Sequence, residues 1–448
     1  MFVGRKKELD YLEENYKKSG NQIFVMYGHK GVGKTSLMFR FASEKDCVYY
    51  NARPCSGPQQ IYFWQRDLGK TGLSSFGEIF ESIDEGKASG KRVLIIDEFQ
   101  NIVKYAPEFM TSLITFLKSA GNEYMVLLAS SSISFVENTL VSKIGSLALG
   151  ISGFFKVPQL RFMDCVAYFK NFSTRDCMEV YSILGGIPAY WARFSDKLSL
   201  EENIKRCILH PDSALFEEGM QIITGELRDV NVYCTILSCL AEGKNKLNDL
   251  HLHTGFSRAK ISVYIKNLMQ LELVEKVFSF DNASSMNAKK GVYRISHSFL
   301  LFYFKFMFAN YSELTAKTPA AFYETYVAPY LGELHEQSFK KICMEYLDLL
   351  QQKDKLPIRP VSVGEWVGKD GTIDIVMQNE DWDNILCYCN WKKECFDLQD
   401  FTRCIEVAKK ARLTPDYVMV FSAGSFEQEL MVQAEEVGNI ELVDINQL

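Results

Sequence analysis

The segment QIFVMYGHKGVGKTSL, from Gln22 to Leu37, constrains this chain more than any other. An apolar run, Ile23–Val25, enters a loop spaced G-x-x-x-x-G-K-T and filled by Gly28, Gly33, Lys34 and Thr35. The pattern needs glycines because the backbone must curl tightly around a phosphate chain, with its N–H groups aimed inward at the phosphate oxygens. Gly28, His29, Lys30, Gly31, Val32, Gly33, Lys34, Thr35 and Ser36 are therefore the expected nucleotide-binding stretch. Lys34 would reach the β and γ phosphates of ATP, and the Thr35 hydroxyl would hold Mg²⁺. A helix starting near Lys34, amphipathic through Leu37 and Phe41, would add its positive end to the same anion.

A second stretch, KRVLIIDEFQ from Lys91 to Gln100, carries the matching chemistry. Val93–Ile96 is a continuous apolar run, as expected of a strand in a parallel sheet covered on both faces. It ends in Asp97-Glu98, and ligands of open α/β sheets bind at the carboxyl ends of strands. Asp97 is placed to bind the magnesium through water, and Glu98 to polarise an attacking water as the catalytic base. Tyr124–Ala129 is another buried strand, ending in Ser130-Ser131-Ser132. Ser130 either senses the γ phosphate or belongs to a cap for a helix over Phe135–Leu140. With the short strands Cys47–Asn51 and Phe154–Val157, strands alternating with helices predict a parallel α/β sheet.

The length of 448 residues predicts two to four domains, at about 100–200 residues each. A net charge of −6 excludes a global basic field, so any nucleic-acid contact must be a local patch. Twelve scattered cysteines read as reduced thiols of a cytoplasmic protein. Cys387, Cys389 and Cys395 cluster without the paired C-x-x-C or histidine that a zinc site needs. The N-terminus MFVGRKKEL is charged at once and has no apolar signal core. The most apolar run, Phe299–Phe308, contains Lys305 and is shorter than the roughly 20 residues of a membrane span, so it reads as a buried core helix. No membrane partner is expected.

From Leu160 to Thr224 the pattern is helical, broken at Gly185-Gly186, with Pro188 suited to a first helical turn. Val232–Phe280 gives three helical segments closed by an apolar strand. Leu247–His253 and Arg258–Gln270 flank a turn at Gly255, and Ser257 can cap the second of them. Ile261, Ile265 and Leu268 form its buried face; Arg258, Ser262 and Lys266 form an exposed stripe. A loop, Asp281–Gly291, with Lys289-Lys290, leads to the return strand Val292–Ile295, completing a winged helix that contacts either double-stranded DNA or protein. Tyr330–Leu448 is a second α/β unit.

At Gly28–Thr35, Asp97-Glu98 and Gly185–Pro188 together, the chain resembles an archaeal-type family of AAA+/STAND-like P-loop ATPases. The family's opening F-x-G-R-x-x-E-L box is matched by Phe2, Gly4, Arg5, Glu8 and Leu9, and lies near the adenine in relatives. Its G-G-x-P motif is matched by Gly185, Gly186 and Pro188, which puts Pro188 among the nucleotide-contacting residues. The resemblance implies an ATPase core over residues 1–158, a helical lid over 159–224, a winged helix over 225–300, a connector over 301–330 and a restriction-endonuclease-like domain over 331–448.

Two departures stand out. Relatives often carry a G-R pair after the sensor strand, whereas Ser142–Gly150 holds Lys143 and no arginine, which weakens the expectation of efficient trans-activated hydrolysis. In the C-terminal domain Glu336 and Asp374 match a helix Glu and a strand Asp, but the expected E-x-K aligns with Tyr388-Cys389-Asn390. Only Lys392, displaced along the strand, stands in for the lysine, so this domain is expected to be degenerate. The expectation is an ATP-binding, ATP-hydrolysing switch, acting as a homo-oligomer or on a protein partner. Its rival is a nucleic-acid-binding module that keeps ATP as a structural ligand, or an active nuclease.

Overall fold

The short apolar runs of the first 160 residues become five strands: β1 (Gln22–Tyr27), β2 (Cys47–Asn51), β3 (Arg92–Asp97), β4 (Tyr124–Ser130) and β5 (Gly153–Lys156). They pair side by side in the order β2-β3-β4-β1-β5, every neighbour parallel. Every residue of β3 and β4 is buried, which is why their sequences do not alternate between apolar and polar. The pleat still divides them. Leu94 and Ile96 face a core with Trp64, Phe80 and Phe109, while Val93 and Ile95 face one with Leu12, Leu37 and Phe41. A fully buried side chain of this size contributes about 1.5–3 kcal/mol of transfer free energy, so the sheet's position is firmly set.

The structure is a computed structural model and describes residues 1–85, 90–121, 123–280 and 291–448. The expected wing residues Lys289 and Lys290 lie outside the described residues. Two compact units emerge: Met1–Leu160 with Ile187–Tyr190, and Arg161–Gly186 with Trp191–Leu448. In the first, helix α1 (Lys6–Tyr16) precedes β1, and helix α2 (Lys34–Ala42) follows it. Leu37, Met38 and Phe41 of α2 face the core, leaving Phe39 and Arg40 exposed. Between β2 and β3 the described residues include two helices, Gly57–Asp67 and Phe76–Glu85.

In the second unit, Ser257 caps helix Arg258–Gln270 by accepting from Lys260 N at 3.2 Å. Ile261, Ile265 and Leu268 are buried, and Arg258, Ser262 and Lys266 exposed. This helix follows Val230–Ala241 and Leu247–Thr254 and precedes an antiparallel ribbon, β6 (Val274–Val277) and β7 (Val292–Ile295). The apolar run over Phe299–Phe308 is a short helix opening into a wider π-helical turn, and its one charge, Lys305, pairs with Glu333 at 2.7 Å. A mixed sheet follows, of β8 (Ser362–Val367), β9 (Thr372–Gln378), β10 (Asn384–Asn390), β12 (Tyr417–Ser422) and β14 (Ile440–Asp444). A small separate pair, β11 (Cys395–Phe396) and β13 (Ser425–Phe426), lies between them in sequence. β8, β9 and β10 are antiparallel neighbours, while β10, β12 and β14 run parallel. No helix among the described residues is long and apolar enough to cross a membrane.

The second unit also ties its early helices to the long helix Leu331–Gln352. The Glu345 carboxylate accepts from Phe162 N at 2.8 Å and from Tyr181 Oη at 2.9 Å. Ser182 Oγ lies 2.7 Å from His335 Nδ1, and the Arg175 guanidinium sits 4.4 Å above the Trp391 ring.

Candidate functional site

β1 delivers the chain into the loop, and the loop's glycines are required by its shape. Gly28 has φ 155°, and a Cβ there would lie 2.5 Å from the Val157 carbonyl oxygen. Gly31 and Gly33 have φ 80° and 99°, left-handed values that side chains rarely adopt. α2 begins directly after Gly33. Lys34 is buried and turned back into the loop, its Nζ donating to Gly28 O at 2.8 Å and His29 O at 2.9 Å. Val32 is buried, whereas Lys30 and Ser36 are exposed and offer backbone rather than side chain.

Asp97 and Glu98 diverge at the end of β3. Thr35 Oγ1 donates to Asp97 Oδ2 at 2.6 Å, and Tyr49 Oη reaches the same oxygen at 3.4 Å. Asp97 is buried, and that burial raises its carboxyl above the usual range, opposed by the Thr35 hydroxyl. Burial, with Asp97 alongside, pushes the Tyr49 phenol up to about 12. Glu98 takes a left-handed conformation, φ 53°, which turns it away from Asp97 and toward the end of β4. There its Oε2 accepts from Ser131 Oγ at 2.7 Å and Ser131 N at 3.2 Å, and from the Gln100 side-chain amide.

Ser130, the sequence-level candidate, is fully buried, and its hydroxyl stays within its own turn, accepting from Ser132 N at 3.1 Å. Its carbonyl accepts from Gly28 N at 3.3 Å. The side chain that reaches Glu98 belongs to the next residue, Ser131, which sequence reasoning passed over.

The segment Ile187–Tyr190 lies against the loop. Ala189 N donates to Gly31 O at 3.2 Å, and Pro188 Cγ would be 3.5 Å from a Cβ on Gly33. A Cβ on Gly31 would lie 2.9 Å from Ala189 Cβ. Pro188 thus lies against the phosphate loop at Gly33. From the opening box, Arg5 also touches the loop, donating to Val32 O at 2.8 Å. Neither contact was legible beforehand, since both join residues far apart in sequence.

The C-terminal carboxylates have lysine partners. Asp374 pairs with Lys340, contributed by the long helix, and accepts from Cys389 N at 2.8 Å. Glu336 pairs with Lys392 at 2.8 Å. Burial raises the Asp374 carboxyl, and Lys340 opposes the rise. Lys340 also lies 3.8 Å from Glu365. The sequence reading looked for a lysine on the strand and missed this one on the helix. Among the described residues, no group of three or more His, Cys, Asp or Glu is arranged to hold a metal ion.

Comparison with known proteins places two family matches on the chain. Residues 2–61 match an ATPase domain found predominantly in Archaea, and residues 303–403 match archaeal and bacterial proteins of unknown function. An uncharacterized protein of Methanocaldococcus jannaschii is 27% identical over 410 residues, covering 89% of each chain. An uncharacterized ATP-binding protein of the same organism is 25% identical over 323 residues, 61% of this chain and 92% of its own. Among solved structures, a Walker-type ATPase of Pyrococcus abyssi shares the fold with a TM-score of 0.50 at 16% identity, over 68% of this chain and 96% of that one.

Proposed function

Because the chain belongs to an archaeal-type family of P-loop ATPases, we propose that it is an ATP-hydrolysing molecular switch of the AAA+/STAND type. The observation that carries this reading is the meeting of Thr35 Oγ1 and Asp97 Oδ2 at 2.6 Å, one residue before a glutamate held by Ser131. A hydroxyl and a carboxylate are hard oxygen donors. They suit Mg²⁺, which keeps several waters and takes its remaining oxygens from substrate phosphates. When bound, the ion neutralises charge on the β and γ phosphates.

The protein's own residues do the rest. Lys34 exchanges the Gly28 and His29 carbonyls for phosphate oxygens. Glu98 orients the attacking water and takes its proton, with Ser131 and Gln100 fixing the carboxylate in place. The ATP-binding relative from Methanocaldococcus jannaschii supports the choice of nucleotide.

The loop's hold on Ala189 suggests how nucleotide state is passed on. Residues 187–190 pack with the phosphate loop, while the chain on both sides of them belongs to the second unit. Displacing the loop therefore pulls on backbone that continues directly into the helical lid. That lid is braced on the long helix through Glu345 and Ser182, so the C-terminal domain moves with it. We read the three helices and ribbon as a winged helix that meets double-stranded DNA through Arg258 and Lys266. The C-terminal domain serves docking rather than cutting, because Tyr388-Cys389-Asn390 supplies no acid beside Asp374 where the resemblance expects E-x-K.

The test is Glu98→Gln. ATP binding should persist while phosphate release falls about 100-fold or more, with and without DNA. Equal turnover in wild type and variant would remove Glu98 as the base.

A further inference from the structure

Arg5 stands in a strained and buried place. It occupies the left-handed region (φ 67°, ψ 15°) directly after Gly4, itself at φ 64°. Non-glycine residues enter this region only at an energetic cost. The side chain is 6% exposed, and a buried guanidinium persists only when its donors are satisfied. Here three of its five donors have partners: one terminal nitrogen donates to Val32 O and to Pro158 O, both at 2.8 Å, and the other to Glu8 Oε1 at 3.1 Å.

These acceptors have a geometric meaning. Pro158 follows Val157, whose carbonyl oxygen crowds Gly28 at the start of the loop. Val32 precedes Gly33 at its end. Arg5 therefore ties the exit of β5 to the far side of the loop. In a trans peptide the C=O of one residue and the N–H of the next point in opposite directions. Holding Val32 O on the arginine side turns the Gly33 N–H to the other side. We infer that Arg5 is a positioning residue for the phosphate loop, aiming the Gly33 N–H at the nucleotide's β phosphate through the Val32 carbonyl. Arg5 lies in the opening box that the family resemblance puts near the adenine. In this structure its guanidinium is spent on the loop and on its own helix.

The inference rests on nucleotide binding at this loop, and the test separates the two. ADP carries the β phosphate and AMP does not, so the ratio of their affinities isolates the loop's contribution. Arg5→Met should lower that ratio about tenfold, the worth of one charge-assisted contact, with AMP affinity unchanged. Arg5→Lys, whose single ammonium reaches one carbonyl, should give an intermediate ratio and carries the test if Arg5→Met does not fold. Loss of AMP affinity at constant ratio would mean that Arg5 reads the base, and would overturn the inference. So would a wild-type ratio in Arg5→Lys, or a fall in thermal stability alone. Wild-type protein that binds neither nucleotide would instead sink the nucleotide reading itself.

Discussion

Acidification should weaken the second unit through a single imidazole. Ser182 Oγ donates its only proton to Glu179 O at 2.6 Å, so the 2.7 Å contact with His335 requires His335 Nδ1–H to be the donor. A second proton must then go to Nε2, in a site 6% exposed, with the Trp391 ring centroid 5.5 Å away and the Arg175 guanidinium above that ring. Burial first and Arg175 second lower the His335 pKa from 6.5 to about 4. The folded value lies below the unfolded one. The stabilising contribution is therefore complete above pH 6.5 and is lost as pH falls toward 4. A shift of this size corresponds to about 3 kcal/mol in full, and to about 2–3 kcal/mol by pH 4.5. Carboxylates elsewhere also titrate in this range, so the measurement is a difference. Urea unfolding, followed by tryptophan fluorescence at pH 7 and pH 4.5, should be compared for wild type and His335→Gln, whose amide still donates to Ser182. Wild type should lose about 2–3 kcal/mol more than the variant. Parallel losses would refute the argument that His335 is held neutral.

Lys34→Ala should abolish ATP binding by removing the cation now stored on Gly28 O and His29 O; an unchanged fluorescent-nucleotide titration would displace the site. Replacing Arg258 and Lys266 by alanine should weaken binding to double-stranded DNA and flatten its salt dependence, and salt-insensitive binding would favour a protein-contact role. Incubation with plasmid, linear DNA and RNA in magnesium or manganese should show no cleavage. Cutting that disappears in Asp374→Ala would restore the nuclease reading and assign Lys340 as its lysine.

The ATPase core was legible because its signals are local. An apolar strand, a glycine-spaced loop and an amphipathic helix are contiguous, and each carries its own physical requirement. Asp97 and Thr35 meet because Asp97 ends β3 and Thr35 opens the helix that follows β1, and parallel strands bring both ends to one edge of the sheet, a consequence of the sheet rather than of any pair preference. Where a contact depended on which way one residue faces, the sequence fell short. Ser130 and Ser131 differ by one position, but Ser130 is the last, buried residue of β4 and Ser131 opens the turn beyond it, where its hydroxyl reaches Glu98. Lys340 escaped notice because a helix face was not searched for a strand's missing partner. Arg5 joins residues 27 and 153 positions away, which periodicity cannot reveal.

The contact between Ala189 and Gly31 also bears on dissection of the protein. A cut after Leu160 would leave all five strands of the first sheet and the whole G-x-x-x-x-G-K-T loop, yet would remove the short segment that packs against that loop. The chain crosses between the two units at residues 160–161, 186–187 and 190–191. A single cut that keeps the first unit whole must fall after Tyr190, and the fragment then carries Arg161–Gly186 without the rest of their own unit. A fragment complete in motif would still be incomplete in support, and its failure to bind ATP would say nothing against the parent protein.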